Sequence, residues 1–299
     1  MIELPDSFRV LRPHPNVWAF YDGRATGRRL WSDEPNWLDD GAYELGVATF
    51  AIVVGHEALV YDTHISTAHA QAIRRMLEED LGVTSIRVVL SHWHVDHVAG
   101  NAAFADCEIL SNRLTAEALV AHRAELEGDA PPVSPLVMPN RIFEAAATTV
   151  TVGDVAVDLI QVDIHSHDGT LLLVKEWGLL FAGDALEDTV TYVAEPERLA
   201  VHLRDLARLH ALPFTHILPN HGDPEIIAAG GYPASLIDAT ETYVRGLLAL
   251  EPGDARSTLS LEAFVADDVA AGRIGYFAPY EAVHRRNVEQ ALAAKAALA

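Results

Sequence analysis

The chain has 299 residues, half of them hydrophobic, with one cysteine and a formal charge of −22; that is enough to bury a large core in one big domain, or one domain with an appendage. The acidic balance argues against a nucleic-acid or anionic-membrane partner, since neutralising phosphates takes concentrated Lys and Arg, and small or neutral substrates are expected instead. The single Cys107 excludes an internal disulfide, and with only Lys175, in a hairpin turn, and Lys295, in the last helix, Schiff-base chemistry has no obvious residue to use.

The start, Met1 to Asp6, has no basic region followed by an apolar run, and no stretch approaches the ~18 apolar residues of a membrane span. A soluble cytoplasmic protein is therefore expected. Asn16 to Tyr21 reads as a first strand. The polar loop Gly23 to Gly46, with Trp31 and Trp37, is long for a plain connection. It reads equally well as a lid or partner-contact loop and as a segment whose tryptophans pack on the core edge. Val47 to Val54 and Ala58 to Asp62 form a hairpin that ends in Asp62-Thr63-His64. Ser66 to Leu81 is an amphipathic helix, with Ala70, Ile73, Leu77 and Leu81 on one face and Gly82 as its stop.

Ile86 to Leu90 reads as a buried strand, and Ser91-His92-Trp93-His94-Val95-Asp96-His97 follows it directly, setting four candidate metal ligands on a strand-to-helix turn. In extended chain, residues two apart point the same way. His92 and His94 can therefore grip one cation while Asp96 and His97 reach a second. The chain has 15 histidines, but a single His-x-His would be weak evidence, whereas His-x-His-x-Asp-His is strong.

The apolar run Cys107 to Leu110 makes Cys107 a buried strand residue. A helix over Asn112 to Glu127 leads into the Pro-rich loop Ala130 to Pro139, which divides the chain into two similar halves. The second half repeats strands (Thr148 to Val152, Val155 to Val162, Thr170 to Val174, Leu179 to Ala182), a helix (Pro196 to Ala211) and a strand (His216 to Leu218). Two sheets packed face to face with helices outside both are the expected architecture, of mixed α/β (α+β) class. After Glu251 the pattern is helical, with Leu261 to Ala271 and Tyr280 to Ala297, which predicts a catalytic domain over 1–250 and a helical extension over 251–299 packed on it. Tyr280, Glu281 and His284 share a helical face and read more readily as packing than as pocket. His69, His122, His202 and His210 fall in helical segments and are expected to face solvent.

Four ligands cannot complete two metal shells, and further candidates follow the later strands: His165-Ser166-His167-Asp168-Gly169-Thr170, Gly183-Asp184 and Asn220-His221-Gly222. In this order the motifs resemble the metallo-β-lactamase superfamily over roughly Asn16 to Leu250. The resemblance implies a four-layered αββα sandwich with metals at one edge of the two sheets. It casts His92, His94 and His165 as holding the first metal, Asp96, His97 and His221 the second, and Asp184 as the bridge. Aligning the histidine loop makes His165 the ligand and leaves His167 facing the groove; only one of the two can hold this position. Where relatives commonly place Gly, the chain has Asp62-Thr63-His64, with Asp62 orienting a ligand histidine and His64 either near substrate or in a plain exposed loop.

Two zinc ions per chain are the cofactor implied, with iron or manganese as alternatives. Attack of a metal-bridging hydroxide on a small carboxylic ester, lactone or cyclic amide is the leading activity, with Asp96 as a proton shuttle. The lactonases of the family commonly carry a tyrosine soon after the bridging aspartate, and the nearest here is Tyr192, a candidate substrate contact. The alternative is a mononuclear-iron sulfur dioxygenase-type oxidoreductase. Specificity is expected from Gly23 to Gly46, Ala130 to Pro139, Glu187 to Tyr192, and the last helices around Tyr276, Tyr280 and His284. The sequence leaves a homo-oligomer open.

Overall fold

The computed structural model describes residues 4–298; Met1 to Glu3, part of the chain start on which the reading of a missing export signal rests, and Ala299 lie outside them. The first sheet has seven strands in chain order: β1 (Arg9–His14), β2 (Val17–Asp22), β3 (Val47–Val54), β4 (Glu57–Tyr61), β5 (Ser85–Val89), β6 (Glu108–Asn112) and β7 (Arg141–Phe143). Pairing is antiparallel as far as β4 and parallel from β4 to β7. The second sheet is built from β8 (Ala147–Val152), β9 (Val155–Ile164), β10 (Ser166–Val174), β11 (Leu179–Gly183) and β12 (His216–Pro219) in the order β12-β11-β10-β9-β8, with only β11 and β12 parallel.

Period-two patterning builds the layers. In β3, Ala48, Phe50 and Ile52 face the second sheet, in one core with Val157 and Leu159 of β9 and Leu172 of β10. Ala51 and Val53, on the opposite face, pack beneath α2 (Thr67–Arg75) through Ala70 and Ile73. In chain order the helices are α1 (Tyr43–Leu45), α2, α3 (Val95–Val98), α4 (Arg113–Ala121), α5 (Arg123–Gly128), α6 (Leu199–Leu209), α7 (Pro224–Ala228), α8 (Ser235–Leu248), α9 (Leu261–Phe264), α10 (Ala266–Ala270) and α11 (Tyr280–Leu298). Leu119 of α4 and Leu126 of α5 join α2 over the first sheet, while α6 and α8 cover the second through Leu206, Tyr243 and Leu247. The arrangement is the αββα sandwich. Leu261, Val265, Tyr280, Val288 and Ala291 of the last segment are buried in the same continuous hydrophobic cluster that holds residues of both sheets and of α6 and α8. Among the described residues no helix is long and apolar enough to cross a membrane.

Several sequence expectations need correction. Strand β1 was not expected, because Arg9, Arg12 and Pro13 interrupt its pattern; as the edge of its sheet it tolerates them. The Asn112 to Glu127 helix breaks at His122 into α4 and α5. Cys107 is half-buried in the turn before β6 rather than a buried strand residue. His69 and His202 are buried, because each lies on the inward face of its helix. His69 bridges Ser66 Oγ, 2.7 Å from its Nδ1, and Asp22 Oδ2, 2.8 Å from its Nε2.

Candidate metal centre

Strand termini on one edge of the sandwich carry the chemistry. β4 runs into Asp62, β5 is followed by Leu90-Ser91-His92, β9 by His165, β11 by Asp184 and β12 by Asn220-His221. Loops at such ends are free to vary while the sheets fix where they begin. His94 caps α3 with extended backbone, and one helical turn then presents Asp96 and His97. His165 makes the β9–β10 turn with a φ of 68°, a left-handed conformation uncommon outside glycine.

Two groups of side chains result. In the first, His92, His94 and His165 converge, with His165 Nε2 2.9 Å from His94 Nδ1. In the second, Asp96, His97, Asp184 and His221 converge. Asp184 Oδ2 stands between them, 3.0 Å from His97 Nε2, 3.5 Å from His221 Nε2 and 3.7 Å from both His92 Nε2 and His165 Nε2. His221 Nε2 also lies 3.2 Å from Asp96 Oδ2.

The remote ring nitrogens are tied down. His165 Nδ1 donates to the Tyr192 carbonyl (2.8 Å), His221 Nδ1 to the Gly46 carbonyl (2.7 Å) and His97 Nδ1 to Asp62 Oδ2 (2.9 Å). Each turns Nε2 toward the cluster, the outer arrangement found around metal-binding histidines. Asp62 is itself held by the Ser91 amide and by Asn220 Nδ2, each 2.6 Å from one of its oxygens. The buried atoms His92 Nε2 and Asp184 Oδ1 have no hydrogen-bond partner, and ligand atoms around one tetrahedral cation stand roughly 3.3 Å apart, close to the spacing seen here. The donor set fits a pair of divalent cations.

Burial, then neighbouring histidines, pushes His92 well down and His94 to about 3, so both are neutral and ligation-ready. Burial opposes ionisation of Asp96, but His97 and His221 outweigh it and hold its carboxyl at about 2. For His97 burial is likewise overcome, by Asp184, Asp96 and Asp62, which raise it well above the ordinary value.

A groove of about 680 Å³ opens onto this centre. His94, Asp96, His165, Asp184 and His221 form its floor, and Trp37, Leu45, Trp93, Leu126, Tyr192 and Val283 supply apolar wall. The Gly23 to Gly46 segment thus contributes Trp37, whose Nε1 donates to the Pro131 carbonyl, whereas Trp31 stays exposed. The Ala130 to Pro139 loop stops short of the groove, which reaches only Asp129.

Two expected substrate contacts lie elsewhere. His64 is fully buried, stacked on His69 at 4.6 Å, with left-handed backbone (φ 68°). His167 turns away from the groove to pair through Nδ1 with Glu195: residues two apart in a regular strand would share a face, but His165 precedes β10 with left-handed backbone (φ 68°) and the β9–β10 register shifts between Ser166 and Gly169, which breaks that alternation. Tyr280 is buried and His284 hydrogen-bonds Tyr243 Oη at 3.0 Å; neither lines the groove, while their neighbours Val283 and Arg286 do. The sequence reading also missed Glu187 as a member of the centre: it is buried beside His165 and Asp184, and burial, then Asp184, pushes its carboxyl up to about 7. An acid three residues after Asp184 was the available signal.

An αββα sandwich with His and Asp side chains able to hold metal gathered at one sheet edge defines the class of fold, and comparison supplies the family. A family model described as the metallo-beta-lactamase superfamily matches residues 42–271, and the chain belongs to that superfamily. Among solved structures it is similar to VMB-1 at 15% identity, covering 82% of this chain and 100% of that one with a TM-score of 0.62. It is also similar to a metallo-beta-lactamase from Pontibacter korlensis (15% identity, 77% and 99% covered, TM-score 0.56). A third is FIM-1 from Pseudomonas aeruginosa in its mono-zinc form (15% identity, 80% and 97% covered, TM-score 0.56). At these identities the likeness is one of fold. No curated protein matches the sequence.

Proposed function

We propose that the protein is a dinuclear-zinc hydrolase that cleaves a small carboxylic ester, lactone or cyclic amide. The observation that carries this reading is the position of Asp184 Oδ2 between two complete groups of ligands, His92, His94 and His165 on one side and Asp96, His97 and His221 on the other. When bound, a cation pair supplies an acidified water as nucleophile and positive charge for a carbonyl oxygen. The chain's own residues do the rest. Asp62 fixes the ring of His97, the Tyr192 carbonyl that of His165, and the Gly46 carbonyl that of His221. Asp96, on the groove floor, would take and return a proton, and the walls around Trp37, Trp93 and Leu126 would shield an apolar acyl group from bulk water.

The groove suits a small molecule, and the charge of −22 disfavours nucleic acid and anionic membranes. A cytoplasmic site of action and a lactone-type substrate belong to the same proposal; a homo-oligomer is compatible with it.

Elemental analysis of the purified protein, grown without added metal, tests the reading. Two zinc ions per chain, lost in Asp184→Ala, with hydrolysis of a lactone, ester or cyclic amide, is the expected result. About one iron per chain and oxygen uptake with thiol substrates would replace it with the sulfur dioxygenase-type alternative. A protein with no affinity for metal would remove both.

A further inference from the structure

Glu187 lies in the loop after β11, 2% exposed, with no Lys or Arg within ion-pair distance among the described residues. Its two hydrogen-bond donors are neutral. The Tyr192 amide donates to Oε1 at 2.9 Å, and Tyr280 Oη, from α11, donates to Oε2 at 3.0 Å. A buried carboxylate held only by neutral donors is costly until a positive charge stands beside it. Here the nearest place for one is the candidate centre: ligand atoms of His165, Asp184 and Glu187 lie within 4.8 Å of one another, with Glu187 Oε1 3.8 Å from His165 Nδ1, on the same ring whose Nε2 faces the cluster. Glu187 also borders the groove.

Resting on the metal reading above, we infer that Glu187 is an eighth protein group of the metal centre, adding a carboxylate oxygen on the His165 side, and that Tyr280 of the C-terminal helix holds it in place. Seven groups come from the motifs; this one is set by tertiary packing. A purely structural Glu187 would serve only to close the loop through Tyr192 and Tyr280, a role glutamine fills with the same shape and no charge.

The test is Glu187→Gln, titrated with zinc against a chromophoric chelator and loaded with cobalt(II) for its visible spectrum. The expected result is at least a tenfold loss of affinity for one of the two equivalents and a shifted cobalt spectrum. With zinc bound, the thermal midpoint should fall below that of the zinc-loaded wild type. Wild-type affinity, spectrum and zinc-loaded midpoint would overturn the inference and leave the dinuclear reading intact, whereas a wild type that binds no cation would take down both. Should Glu187→Gln fail to fold, Tyr280→Phe decides: a smaller loss of zinc affinity supports the role, and unchanged affinity and spectrum overturn it.

Discussion

His165 and His167 lie two residues apart, yet their surroundings differ in kind. His165 is 3% exposed and turns Nε2 toward the cluster while its Nδ1 is spent on the Tyr192 carbonyl. His167 is half-exposed and paired with Glu195. His165→Ala should therefore lose about one metal equivalent per chain by elemental analysis, and His167→Ala should keep both; the reverse pattern would reassign the loop. His202 carries a different consequence. Both its ring nitrogens lack hydrogen-bond partners, Asp163 Oδ1 is 3.6 Å from Nε2, and Arg198, Asp205, Glu195 and His165 also face it. Burial lowers it from 6.5 to about 4. The unfolded chain therefore binds its proton first as pH falls, so the stability contributed by neutral His202 is complete above pH 6.5 and is lost towards pH 4, by at most about 3 kcal/mol. In urea unfolding of metal-depleted protein, His202→Asn should lower the dependence of stability on pH across that window by a like amount.

Elements whose side chains repeat with a clear period were legible in the sequence: the β3–β4 hairpin, β5 and β9 fall within a residue or two of where alternation places them, and α2 starts where expected but gives way at Met76–Asp80 to a π-helical turn. β1 and the three-residue β7 were not, since both are edge strands that pairing stabilises more than pattern does. Seven ligand candidates were legible because each sits in a short motif at the end of an apolar run. Glu187 was expected only as part of a loop shaping specificity, and its place beside His165 and Asp184, like that of Arg286 on the groove, was not legible, because packing alone brings them there. One contact between elements is unusually close. A Cβ on Gly100, after α3, would stand 2.0 Å from the Thr63 carbonyl and 2.5 Å from Ala70 Cβ. The Thr63 amide in turn donates to the His97 carbonyl at 2.8 Å, so α2, α3 and the Asp62 turn lock together at that glycine. Gly100→Ala should cost about 3 kcal/mol in urea unfolding and weaken metal binding, while Gly128→Ala, with nothing within 4 Å, should be nearly neutral.

At the scale of the whole molecule, the sequence pattern breaks at Glu251 but the core does not. Leu261, Val265, Tyr280 and Val288 are buried in the cluster that contains both sheets, and four such side chains are worth roughly 8 kcal/mol of burial, within the range of a domain's entire net stability. The segment also clamps the loop beside the candidate metal centre. The Gly275 amide donates to Asp188 Oδ1, the Phe277 amide to Thr189 Oγ1, and Asn287 Nδ2 to the Thr191 carbonyl, while Asn287 Oδ1 accepts from the Val193 amide. Removing these residues exposes apolar surface and frees Glu187, Tyr192 and the carbonyl that orients His165. A chain ending at Glu251 should therefore fail to give a cooperative thermal transition or to retain two metal equivalents, as read by circular dichroism and elemental analysis. If it instead melts cooperatively with its metals in place, residues 252–299 are an independent appendage, and the coupling between the last helix and the centre is lost with them.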